Sequence, residues 1–229
     1  MTIEYIASVT STTTSTVLST SSLPTTTQDG DFLVWIVQAW SATIASEPSG
    51  YGFLSSTGGS SSMHAYRRFV SGSSLPTVQF SAAGSHIAAL HAFRGIDTNT
   101  PVDGASPNSV TATSTVHTLG STTISRDGCM TLCSVATGVS TSGYSYTWDA
   151  PATKRVDMRS SAGYRYLSTA TTEHPTAGQT GAATARFPVS LYNFQIRLVL
   201  NPKSTSRLYL GSTPVPLMLG NTEVEIMGP

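Results

Sequence analysis

The chain has 229 residues, 10% of them charged and 39% apolar, and its 12 basic and 12 acidic side chains cancel. A length of this order buries a full core and is commonly a single all-β domain. Charge is scarce beside the ~25% of an average domain and is replaced by 35 Ser and 35 Thr, whose hydroxyls compete for backbone hydrogen bonds and disfavour helix; zero net charge excludes nucleic-acid binding and attraction to an anionic membrane as the main task.

In chain order, Ile3, Tyr5, Ala7 and Val9 alternate with polar neighbours, and a hydroxyl-rich stretch runs from Thr10 to Thr27. Thr is a strand former, so the stretch predicts one or two edge-type strands. Apolar stretches follow at Asp31 to Ala39, Met63 to Val70, His86 to Arg94, Cys129 to Ala136, Tyr164 to Ser168 and Leu191 to Leu200, separated by Gly, Pro and Ser. Short strands with turn chemistry between them predict a sandwich or barrel. In the last stretch Tyr192, Phe194, Ile196, Leu198 and Leu200 fall on one face, with Asn193, Gln195 and Arg197 on the other, a strict period of two. Pro202 ends that strand, because proline cannot donate to a ladder.

Two internal repeats organise these elements. A shift of 98 residues lays Thr25, Asp29, Gly30 and Val37 on Thr123, Asp127, Gly128 and Val135, and Tyr66-Arg67 on Tyr164-Arg165. This predicts a duplicated unit, with halves of about 25–104 and 123–200 sharing one core, inside a sandwich domain spanning 1–202. The second repeat is RLYLGSTPV from Arg207 followed by PLMLGNTEV from Pro216, in which Leu208, Leu210, Gly211, Thr213 and Val215 recur as Leu217, Leu219, Gly220, Thr222 and Val224. Each copy reads as strand, Gly-bearing bend and strand, too short to bury its own apolar face. Residues 203–229 are therefore expected to form an attachment extension, with Leu208, Leu210, Gly211, Val215, Leu217, Leu219, Gly220 and Val224 contacting another subunit by strand addition.

Enzyme motifs are absent: there is no G-x-S-x-G elbow, H-E-x-x-H helix, P-loop or C-x-x-C pair. Cys129 and Cys133, four apart in one predicted strand, lie roughly 13 Å apart and cannot bridge each other. His86 and His91, five apart, fall on opposite faces of a strand and cannot share a metal through that strand alone. Asp97, Asn99 and Asp103 have rough calcium-loop spacing, which a loop built on Asx turns explains equally well. No cofactor is expected. Trp35, Trp40, Tyr51 and Trp148 are candidate glycan contacts, since such rings stack on sugars; Trp35 alternates with the core positions Val34 and Ile36 and so is a candidate for an outward face. With no secretory signal and no apolar run of transmembrane length, the chain is expected to fold in a reducing cytoplasm without membrane insertion.

The run GDFLVWIVQAW, with SGYGFLSSTGGSSSMHAYRRFV, LPTVQF and HIAALHAFRGIDTNTPVDG, resembles a sandwich module of tail-associated bacteriophage virion proteins, over roughly residues 28 to 104. LYLGSTPV and MLGNTEV resemble the C-terminal repeats of minor tail proteins from phages that infect actinobacteria. The resemblance implies an all-β, jelly-roll-like antiparallel sandwich with a β-forming extension. It implies a non-enzymatic virion protein, synthesised in the host cytoplasm, whose partners are other virion proteins and copies of itself. A minor tail or tail-tip subunit is the leading expectation. A capsid decoration or head accessory protein is the first alternative, and a carbohydrate-binding module for host surface glycan the second.

Overall fold

The computed structural model describes residues 2–139, 142–160, 165–204, 209–210, 213–219 and 222–226, with side chains left out at 109–112 and beyond 204. Among the described residues there is no helix, and the fold is an antiparallel β-sandwich.

The first eight strands are β1 (Glu4–Thr13), β2 (Val17–Ser19), β3 (Phe32–Ala39), β4 (Ile44–Ser46), β5 (Gly52–Gly58), β6 (Ser62–Phe69), β7 (Thr77–Phe80) and β8 (His86–Arg94). They form a five-stranded sheet in the order β1-β8-β3-β6-β5 and a small sheet in the order β2-β7-β4. The next eight are β9 (Val102–Leu119), β10 (Thr123–Ile124), β11 (Cys129–Gly138), β12 (Thr147–Trp148), β13 (Thr153–Arg159), β14 (Arg165–His174), β15 (Gly178–Gln179) and β16 (Ala183–Leu200). Here the large sheet runs β16-β11-β14-β13, with β9 and β12 also pairing to β16 and β10 pairing to β15.

The winding is the same in both units. Phe32 pairs with Phe69 and Phe93, and Met130 pairs with Glu173 and Leu200. The central strands are thus related by 98 positions (Phe32 to Met130), the next strand by 104 (Phe69 to Glu173) and the last by 107 (Phe93 to Leu200). Two bulges recur at matching places. Between β1 and β8 the register skips Ile6, as between β9 and β16 it skips Asp103; between β5 and β6 it skips Leu54, as between β13 and β14 it skips Arg155. A bulge leaves one residue unpaired and re-aims the strand, so its placement marks equivalent strands independently of side-chain identity. The turn before the central strand is also shared: Gly30 and Gly128 have φ of +88° and +74°, which favours glycine. The preceding Asp29 and Asp127 accept the N–H groups of Gly72 and Ala177. The predicted match of Tyr66-Arg67 with Tyr164-Arg165 does not hold. Tyr66, opposite Trp35, is matched in register by Ala170, opposite Cys133, and Tyr164 lies outside the described residues.

The two large sheets face each other across a shared core. Phe32, Val34, Ile36, Met63, Ile87 and Phe93 from the first unit meet Met130, Leu132, Leu167, Ile196, Leu198 and Leu200 from the second. Each unit uses the same face, and contacts are reciprocal: β5 meets β9 as β13 meets β1, and β6 meets β16 as β14 meets β8. This is the isologous geometry of a twofold dimer, within one chain. Outside it each unit has an outer core. Leu18, Leu33, Trp35, Val37, Val78, Phe80 and Leu90 fill that of the first unit. In the second, Cys133, Val135, Tyr146, Tyr166 and Phe187 form one cluster and Ile124, Cys129 and Val199 another. Each central sheet is therefore covered on both sides, which is why β3 is buried at every position despite belonging to an antiparallel sheet, where one wet face is common.

Candidate functional site

The four aromatic residues proposed for glycan contact form no common face. Trp35 is fully buried in the outer core of the first unit, between Tyr51 and Tyr66, and does not face out. Its alternation with Val34 and Ile36 separates two cores and not core from water. Tyr51 is also buried there; burial pushes its hydroxyl up to about 12. Trp40 sits near the second unit, its ring stacked on Tyr192 with the Arg165 guanidinium 3.6 Å from its centroid. Trp148 is half-buried against the outer core of the second unit, and its Nε1 donates to Ser168 Oγ at 2.9 Å.

The C-terminal repeats form a sheet of their own from β17 (Tyr209–Leu210), β18 (Thr213–Leu219) and β19 (Thr222–Ile226), in the order β17-β18-β19. Leu210 pairs with Thr213, and Leu217 and Leu219 pair with Val224 and Thr222; Val215 pairs with Ile226. Leu208, Gly211 and Gly220 lie outside the described residues. Each repeat thus folds back on itself as a hairpin, and β18, which carries residues of both, joins them into one antiparallel meander.

The loop carboxylates bond within the chain. Asp97 Oδ1 accepts the N–H groups of Asn99 and Thr100, an Asx turn, while its Oδ2 holds Arg126 at 2.7 Å. These bonds keep the Asp97 carboxyl below its usual range. Asp103 is turned to Ser125 instead, and the described residues contain no cluster of metal-binding type. His86 and His91 lie on opposite faces, as their spacing predicts, but both are buried. Ser62 Oγ lies 2.7 Å from His64 Nε2; burial holds that imidazole down to about 4, and no carboxylate is bonded to it among the described residues, so it lacks the orienting third group of a nucleophile-base pair.

The most unusual polar feature lies on the second face of β16. Asn193, Gln195 and Arg197 share the face opposite Ile196, Leu198 and Leu200, as period two predicts, and all three are buried, Arg197 at 3% exposure. Its Nε donates to Cys133 Sγ at 3.4 Å, and its Nη1 to Thr180 Oγ1 at 2.8 Å and to the carbonyls of Gly181 and Gly120. Every partner is neutral, and Nη2 has none among the described residues. Arg197 lines a cleft of about 190 Å³ together with Thr131, Thr172, His174, Thr180 and Thr184. The Thr131 hydroxyl is 3.2 Å from His174 Nε2; desolvation, then the nearby Arg197 charge, lowers the His174 pKa. Asp149 is on the cleft wall, but its carboxylate is held by both Nε and Nη2 of Arg186, at 2.9 and 2.7 Å. The signal that finds this site is the duplication: Leu90, opposite Trp35, corresponds to Arg197, opposite Cys133. Comparison with protein-family models, with curated proteins and with solved structures finds no match.

Proposed function

We propose that this chain is a non-enzymatic structural subunit of a bacteriophage particle, a minor tail or tail-tip protein whose double sandwich is the exposed body and whose C-terminal repeats attach it. The observation that carries the reading is the separate β17-β18-β19 meander. A three-stranded sheet of 14 strand residues has little apolar area to bury by itself, and among the described residues its two outer strands pair on one side alone, which leaves edges for strand addition. Support also comes from the resemblance of its repeats to those of minor tail proteins. Low charge and zero net charge suit a subunit held in an assembly, where self-association at neutral pH is no hazard.

The test is a chain ending at Ser204. Pro202 bridges to Ile96, and the Lys203 N–H donates to the Gly95 carbonyl, so this cut preserves the closing contacts of the body. Circular dichroism reads folding, and mass spectrometry of purified particles reads incorporation. The expected outcome is a folded body absent from virions. Normal assembly of the truncated chain overturns the attachment role, and immunogold labelling of the full-length chain on the head overturns the tail assignment.

A further inference from the structure

We infer that the Arg197 cleft of the second unit is a binding site for a single carboxylate carried by a small hydroxylated acid, of which a uronate is the simplest example. This inference does not depend on the virion reading.

Three observations carry it. Burying a guanidinium is unfavourable unless a counter-charge is present, and Arg197, 3% exposed, has only neutral partners among the described residues. Its Nε and Nη1 are fixed by those partners, which leaves Nη2 as the free end of the fork, at a cleft it lines. Second, the fold has no need of a cation here. The register-equivalent residues of the first unit are Leu90 for Arg197 and Leu33 for Thr131, both fully buried in an apolar cluster. The first unit closes the same place with hydrocarbon, whereas the second opens a cleft.

Third, the lining selects the ligand. Thr172 and Thr184 line the cleft with hydroxyls that donate or accept, which suits a hydroxylated acid, while the Thr180 hydroxyl is spent on Arg197, Thr122 and Gly181 and that of Thr131 is turned to His174. One cation faces the cleft, and the Asp149 carboxylate shares its wall while paired to Arg186. A monoanion balances that charge; a phosphate dianion would sit half-neutralised beside a carboxylate. A volume of about 190 Å³ falls below the ~300 Å³ at which pockets for drug-sized ligands begin, so the cleft takes a small acid or one residue of an acidic saccharide.

The test titrates the full chain with glucuronate, acetate, glucose and inorganic phosphate at matched ionic strength. Calorimetry gives affinity, and nitrogen-15 spectra of the arginine side chains give location. Glucuronate is expected to bind at about millimolar Kd or better and to move the Arg197 Nε signal; acetate is expected to bind more weakly at the same place, and glucose and phosphate not at all. Arg197→Leu, the residue of the first unit, should weaken glucuronate at least ~tenfold, since a charge-assisted bond is lost; Arg197→Lys keeps the charge without the fork and should fall between. The wild-type spectra keep the inference testable even if Arg197→Leu fails to fold. Glucuronate that leaves the Arg197 signal unmoved, or phosphate that binds as well as glucuronate, overturns it. An oligomer of glucuronate run alongside separates the sources: binding by the oligomer assigns a saccharide chain, and binding by the monomer alone assigns a free acid.

Discussion

The two units share a winding and two bulges and differ in how they fill the same space. In the first, the outer core is one apolar cluster around Trp35. In the second, the corresponding space is divided between two smaller clusters, with Arg197 and Thr131 at positions equivalent to Leu90 and Leu33. At the end of the strand pair, Asp31 in the first unit holds Arg94 with two bonds of 2.9 Å, while the equivalent Cys129 donates its thiol to Asn201 Oδ1 at 3.4 Å. Topology and bulges thus define the unit, and the outer core is free to vary, because the shared central core of Phe32, Ile36, Leu132 and Leu198 locks the two large sheets together regardless.

Exchanging residues between equivalent positions tests that comparison. The largest effect is expected from Leu90→Arg, which places the second unit's cation in the first unit's apolar core with no acceptor prepared for it. A loss of about 5 kcal/mol or more is expected, comparable to total stability, so the chain should not accumulate in folded form. A folded Leu90→Arg variant would show that the first outer core adapts as the second has.

Next comes Trp35→Ala against Cys133→Ala. Both side chains are buried at equivalent places, but truncating the tryptophan should cost ~3–5 kcal/mol through lost area and a cavity, and the small thiol ~1–2 kcal/mol, which includes the lost acceptor of Arg197 Nε. Urea unfolding midpoints read the difference, and similar losses would contradict the unequal division of stability between the outer cores.

The smallest effect concerns His91, whose equivalent is Leu198 on the same central face. Tyr5 Oη lies 3.4 Å from its Nδ1, its Nε2 has no partner among the described residues, and burial, then the charge of Arg155, lowers its pKa to about 3. The unfolded chain takes up a proton near pH 6.5 that the folded one refuses. Stability from this residue is therefore full above pH 6.5 and declines as pH falls from there toward 3, by ~1.4 kcal/mol per pH unit. His91→Leu should flatten that slope in urea titrations at pH 7, 6 and 5, with the fold retained. An unchanged slope would mean that another group dominates acid sensitivity.

Much of the frame was legible in the sequence. Asp29-Gly30 and Asp127-Gly128 mark the same turn because a positive φ and a capping carboxylate are demanded at that place in both units. The duplication faded beyond the central strand because the spacing grows from 98 to 104 and then 107. Loops lengthen in the second unit, and a fixed offset cannot follow them, so Tyr66-Arg67 fell on the wrong partner. The side chains of the site were hidden for a different reason. Period two states that a strand has two unlike faces but not that either is wet. Here Asn193, Gln195 and Arg197 face a second core, as Trp35 does, because small strands such as β2, β4, β7 and β12, too short to stand out in a Ser/Thr-rich chain, cover the outer sides. Of the four aromatic candidates, Trp35 and Tyr51 are taken up by packing, while Trp40 and Trp148 are half-buried.

The isologous seam between the units has a further consequence for how such a molecule can change. In a dimer of two separate identical chains every substitution appears twice, so a charge accepted at one site must be tolerated at its mate. Joining the copies through the short segment between Arg94 and Val102 replaces a concentration-dependent encounter with an effective concentration in the millimolar range, and it breaks the identity of the partners. A single strand position can then hold leucine in one copy and arginine in the other. Tandem linkage thus gives the molecule a stable half to lean on and a half in which novelty is affordable.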